Sequence, residues 1–189
     1  MLWSTIKSRL ARYRSDERGS AVVEGVIALP ILLMALAACF EFFEVHRYQA
    51  AREKATFTVA DMLSREQAPV NAVYIDNAKT LFDSISDDDG INQIRITVVT
   101  YFAGTDTYEV SWSEVRGTGS LPALTNATIA AERATLPVLR DGEEIVLVES
   151  ESTYYALFTS IFKRGVKTDT RVFTSLRFAP QLCFVTCNS

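Results

Sequence analysis

The hydrophobic pattern of this chain has no period over one stretch and clear periods over most of the rest. Between Ser20 and Phe43 nearly every residue is Ala, Val, Leu, Ile, Met or Phe. The only charges are Glu24 near the start and Glu41 near the end, with sixteen uncharged residues between them. A helix rises about 1.5 Å per residue, so this run, continued a turn beyond each carboxylate, spans the roughly 30 Å of a bilayer's hydrocarbon. Past Phe43 the pattern becomes amphipathic. Tyr48, Ala51, Ala55, Val59 and Met62 recur at helical spacing, while Arg47, Arg52, Lys54, Asp61 and Arg65 fall largely elsewhere on the wheel. One helix from about Ser20 to Arg65 follows, about 68 Å long, apolar in its first half and two-faced in its second. Pro30 removes one backbone hydrogen bond inside it, which predicts a kink of the kind membrane helices tolerate.

After Pro69 a second helical pattern, Val70, Val73, Tyr74, Leu81, Phe82 and Ile85, ends at Asp87-Asp88-Asp89-Gly90. The period then switches to two. Ile94, Ile96 and Val98 alternate with Arg95 and Thr97, Ala103-Gly104-Thr105-Asp106 makes a turn, and Tyr108, Val110 and Trp112 alternate with polar residues, which predicts an antiparallel hairpin. A looser stretch from Arg116 to Gly142 holds a short helix over Ala127 to Arg133. A third strand is expected near Glu144 to Leu157, and a fourth carries Val172, Thr174, Leu176 and Phe178 on one face. Tyr154, Tyr155 and Phe158 read as core. The fold class is therefore α+β, with the two-faced half of the long helix covering a small antiparallel sheet. The divisions expected are 1–19, a basic leader; 20–43, a transmembrane helix; 44–66, its continuation; and 67–189, an α+β head.

Charge orients this arrangement. Lys7, Arg9, Arg12, Arg14 and Arg18 stand against Asp16 and Glu17, five basic to two acidic, so the first nineteen residues carry +3 of a total of −4 and the rest carry −7. Basic residues only before the apolar run put 1–19 in the cytoplasm and everything beyond about Phe43 outside it. A weakly acidic chain without a basic face argues against nucleic acid as a partner. With His46 as the single histidine, neither a His-rich metal site nor a Ser-His-Asp triad can be built around any other. The acidic cluster fails as an EF-hand loop, because Ile85 stands where an acid is needed five residues before Gly90. No catalytic constellation, cofactor or metal is expected. Cys183 and Cys187 are the natural disulfide pair if the tail lies in an oxidising compartment; free thiols or half of a zinc site are the alternatives.

Glu24 is the residue that needs explaining, since a carboxylate one turn into a membrane helix costs about 2.5 kcal/mol or more and marks a functional site by default. A cut between Gly19 and Ser20 would create an α-amino group four residues before it, able to pair with Glu24 of the same chain or of a neighbour. Gly19, then Ser20, then Glu24 as the fifth residue after the cut, then an apolar helix, resembles the processing site of type IV pilin-like proteins. The string RGSAVVEGVIALPILLMALAACFEFFEVHRYQ resembles more narrowly the TadE-like pseudopilins of the tight-adherence pilus system, with Pro30 in an Ala-Leu-Pro context, the Phe40-Glu41-Phe42 exit and Arg47-Tyr48. Gly25 follows the glutamate, where such relatives commonly carry Phe or Tyr. The resemblance covers about the first 65 residues. It implies a type IV pilin-like fold, a prepilin peptidase cutting after Gly19, and a single-pass inner-membrane protein with a periplasmic head. It also implies partners in other pseudopilins or pilin subunits, an inner-membrane assembly platform and membrane lipid, through the N-terminal helix. The length, 189 residues, suits a minor pilin rather than a very short major pilin. Three other readings compete: a buried core helix, a plain bitopic anchor, and a lipoprotein processed at the Leu36-Ala37-Ala38-Cys39 lipobox, although no flexible tether follows Cys39.

Overall fold

A computed structural model describes residues 19–87, 92–157 and 165–187. The leader before Gly19, Asp88 to Gly90 and Phe158 lie outside the described residues. The chain divides into two compact units, Met1–Phe43 and Glu44–Ser189. Helix α1, Ser20–Ser64, is 45 residues long and continues through Pro30. It ends where the amphipathic period predicts, within one residue.

In the first unit, the large apolar side chains from Val22 to Phe43 are exposed. Glu41, by contrast, is buried. Among the described residues, none therefore wraps this run as a core helix. It contains a helix long and apolar enough to cross a membrane.

The second unit is built on a four-stranded, wholly antiparallel sheet: β1 (Asn92–Phe102), β2 (Thr107–Gly117), β3 (Glu144–Tyr154) and β4 (Val166–Ser175), in the spatial order β2-β1-β3-β4. The predicted hairpin is β1–β2, and its register slips between Val98 and Val99, so Ser111 is an extra residue that bulges β2. Helix α2, Ala72–Ser86, begins at Asn71, whose extended backbone lets its side chain accept from the Tyr74 N–H at 2.9 Å. It ends at Asp87 in a left-handed conformation, φ 51°, whose N–H bonds the Asp83 carbonyl.

Both faces of the sheet are covered. On the inner face Ile94, Ile96, Val98, Val146, Val148 and Val172 pack with Ala55, Val59 and Leu63 of α1 and with Ile75, Ala78 and Phe82 of α2. On the outer face Val99, Ile145 and Leu147 meet Tyr108, Leu124, Ile129, Leu136 and Leu139. The loose stretch is thus a cover. Its short helix α3, Asn126–Ala131, is opened by a reciprocal cap between Thr125 and Thr128, and a 3₁₀ turn, Arg133–Thr135, follows.

Several expectations are corrected. Val73 is exposed, and Ile75 and Ala78 take its place inside, because the helix turns its Ile75-Ala78-Phe82 line to the sheet. Arg52 is fully buried: it falls between Val59 and Leu63 on the wheel, and its guanidinium stacks over the Tyr48 and Phe82 rings at 4.9 and 5.4 Å. Strand β3 stops at Tyr154, so Tyr155 is a surface residue at 70% exposure rather than core. Strand β4 stops at Ser175, which leaves Phe178 outside the strand and exposed. Beyond it the tail turns back, with the Arg177 N–H donating to the Ser64 carbonyl at 2.8 Å and Phe184 bridging to Val70.

Candidate functional site

Gly19, Ser20 and Glu24 fall at the start of α1, Gly19 just before the helix and Ser20 as its first residue. Gly19, Glu24 and Gly25 are exposed, and a Cβ added at either glycine meets no atom within 4 Å. Packing therefore does not explain either glycine. Pro30 lies about one and two-thirds turns beyond Glu24, inside the helix. Cys39 is an exposed free thiol with helix on both sides of it. His46 is exposed as well.

Cys183 and Cys187 are bonded, with Cα atoms 5.0 Å apart. The loop they close is held to the second unit by backbone pairs between Val70 and Cys183 and between Val185 and Val70, at 2.9 and 2.7 Å. The Trp112 indole N–H donates to the Leu182 carbonyl at 2.6 Å, and its ring lies 5.5 Å from that of Phe184. Val185 has φ 64°, a strained backbone for a β-branched residue, and it sits inside the closed loop.

Two polar groupings escaped the sequence reading. The first joins α1 to β3: Arg52 Nη1 donates to the Tyr48 hydroxyl at 2.9 Å, that hydroxyl meets Ser152 Oγ, and the Tyr48 and Tyr154 rings lie 5.2 Å apart. The second lies on the outer face of β1, β3 and β4, in a cleft of about 330 Å³. There Arg95 grips Glu149 at 2.6 and 2.7 Å and donates to the Pro122 carbonyl at 2.7 Å, while Arg171 pairs with Glu132 at 2.7 Å. Burial raises the Glu151 carboxyl, but hydrogen bonds from Ser120 and Lys167 outweigh it and hold the group below its ordinary value. Every charge in this cleft faces an opposite one, although the buried Thr170 Oγ1 and the Arg171 Nε and Nη2 atoms make no hydrogen bond of good geometry. The alternation around Arg95 places it on the outer face of β1 but does not show that face to be covered, since its burial depends on the distant 118–139 stretch.

Among the described residues there is no group of three or more His, Cys, Asp and Glu side chains placed to hold a metal. Comparison with family models, with curated proteins and with solved structures finds no match to this chain.

Proposed function

We propose that this chain is a minor pilin or pseudopilin of the tight-adherence type, a non-enzymatic subunit cut after Gly19 and assembled through its N-terminal helix, with a type IV pilin-like α+β head. The observation that carries this reading is the uncovered apolar run of Val22 to Phe43, with Gly19 and Glu24 spaced at its start as a prepilin peptidase substrate requires. In a membrane the run is solvated by lipid. In an assembly it packs against copies or partners in a bundle poor in water, where the Glu24 carboxylate needs a positive counterpart. The Ser20 amine of an adjacent subunit supplies one, and that pairing sets the axial stagger between subunits. The bonded Cys183–Cys187 loop agrees with a head in an oxidising periplasm.

The test is the mature N-terminus, read by mass spectrometry of the membrane-purified protein from cells with and without their prepilin peptidase. A chain starting at Ser20 only when the peptidase is present is expected. A lipid-modified Cys39 would make the protein a lipoprotein, and an intact leader in both strains would leave a plain single-pass anchor. Glu24→Ala is expected to insert normally and to impair incorporation into the pilus; normal piliation in that variant would remove the pairing role.

A further inference from the structure

We propose that strand β4 is a dimerisation edge, which pairs antiparallel with β4 of a second copy of this chain about a two-fold axis through Thr170. The surface lies wholly within the second unit and does not depend on whether 20–43 crosses a membrane. An open sheet in the order β2-β1-β3-β4 has two edges, β2 and β4. On an edge strand, half of the backbone N–H and C=O groups point away from the sheet and can template another strand. The β2 edge is blunted, because Ser111 bulges it and Asn126 Oδ1 accepts from the Val110 N–H at 2.7 Å. Strand β4 runs ten residues in unbroken register against β3. Among the described residues, no backbone hydrogen bond reaches its outer edge.

The order of charges along β4 selects the occupant. Lys167, Asp169, Arg171 and Phe173 share the outer face, where Arg171 lies beside Glu132, whereas Val172 belongs to the inner core. A two-fold axis perpendicular to the sheet keeps each face on its own side, so outer residues meet only outer ones. Centred on Thr170, it sets Asp169 opposite Arg171 of the second copy, twice over, and Lys167 opposite the half-buried Phe173 ring. Moving the centre to Asp169 would set that carboxylate against itself and Lys167 against Arg171; moving it to Arg171 would set two guanidiniums face to face. A shift of two residues either way loses both Asp169–Arg171 pairs and shortens the ladder. Two observations independent of charge order agree. The Thr170 Oγ1 is buried without a hydrogen bond, and on the axis it meets its own counterpart, a hydroxyl that can both donate and accept. Asp169 is mostly exposed and its only described ion pair, with Lys167, is long at 3.8 Å, while Arg171 Nε and Nη2 make no hydrogen bond of good geometry.

The test uses the full chain in detergent, with its oligomeric state read by sedimentation across a concentration series. A dimer is expected, and Asp169→Arg, which turns both cross-strand pairs into like charges, should weaken it about tenfold or more without moving the thermal midpoint. Cross-linking fixes the register and decides the matter where Asp169→Arg lowers the midpoint as well. In a Cys39→Ser background, which removes the one free thiol among the described residues, mild oxidation of Thr170→Cys should give a covalent dimer. Glu109→Cys, exposed on the blunted β2 edge, should not. A chain that stays monomeric overturns the proposal. So does a dimer that a stably folded Asp169→Arg variant leaves intact, which would place the contact elsewhere, the helix of the first unit included. Thr170→Cys that cross-links no more than Glu109→Cys also overturns it.

Discussion

Leu32 and Leu63 belong to the same helix and have opposite surroundings: Leu32 is 67% exposed and Leu63 is 0%. Around Leu63 the chain supplies its own apolar medium, two helices on one face of a sheet. Around Leu32 the described residues supply none. The first half of α1 is apolar on every side, as suits a helix whose surroundings are uniform, whereas the second half keeps a polar side for water. Hydrophobicity alone therefore does not say what covers a residue; its period does.

The largest effect expected follows from that contrast. Phe82→Ala removes a ring buried among α1, α2 and the sheet and should lower the stability of the second unit by about 3–5 kcal/mol, read as a drop in its thermal midpoint in detergent. Leu32→Ala also deletes a branched apolar group but should leave that midpoint unchanged. An equal drop in both variants would mean that the two regions share one core.

The next effect separates apolar burial from ionic burial within the second unit. Arg95 and Glu149 are both buried, and removing one of them strands the other. Glu149→Leu should therefore cost about 3–5 kcal/mol, at or slightly below the Phe82 loss. Arg95→Met combined with Glu149→Leu should recover much of it, because neither charge is then left in the covered face. Chemical denaturation of the two variants checks this, and equal losses would show that the pair is held by packing of its stems rather than by charge.

Much of this architecture was legible. Helical period, turn residues and strand alternation predict both ends of α1, the hairpin and the four-strand sheet, because those signals are local. Arg52 misled by residue type and by a stripe drawn too narrowly: it stands at the edge of Tyr48, Ala55 and Val59, and the buried Leu63 beyond it widens the stripe to include it. Arg95 misled for a different reason. Whether the outer face of a strand is wet depends on where residues 118–139 lie, a non-local fact that no alternation encodes. The same holds for Tyr155, whose exposure depends on β3 ending at Tyr154. Gly19 and Glu24 differ again, since their reading rests on spacing alone and the packing around Gly19 adds nothing that bears on it.

A third and smaller effect concerns the tail. The bond between Cys183 and Cys187 closes a five-residue loop, for which restricting the unfolded chain contributes roughly 2 kcal/mol. Reduction should destabilise the second unit by that amount, read as a drop in its thermal midpoint, and leave membrane extraction of the first unchanged. A change in extraction would tie the tail to the anchoring region.

The smallest effect is a pH dependence confined to the second unit. Glu151 is held below its ordinary value of 4.5, since the hydrogen bonds from Ser120 and the ion pair with Lys167 outweigh its burial. A carboxyl lowered in the folded state binds its proton more readily when unfolded. Its stabilising contribution is therefore fully present above pH 4.5 and fades as pH falls from there through the folded value. Glu151→Gln should accordingly reduce stability at pH 7 and lose that deficit on acidification, so that the midpoints of variant and parent converge at low pH. Lys167 is more than half exposed, so solvent screens its share of the effect, and most of the convergence should survive in Lys167→Met. If Lys167→Met instead abolishes it, the exposed ammonium rather than the Ser120 hydroxyl and N–H holds the carboxyl charged.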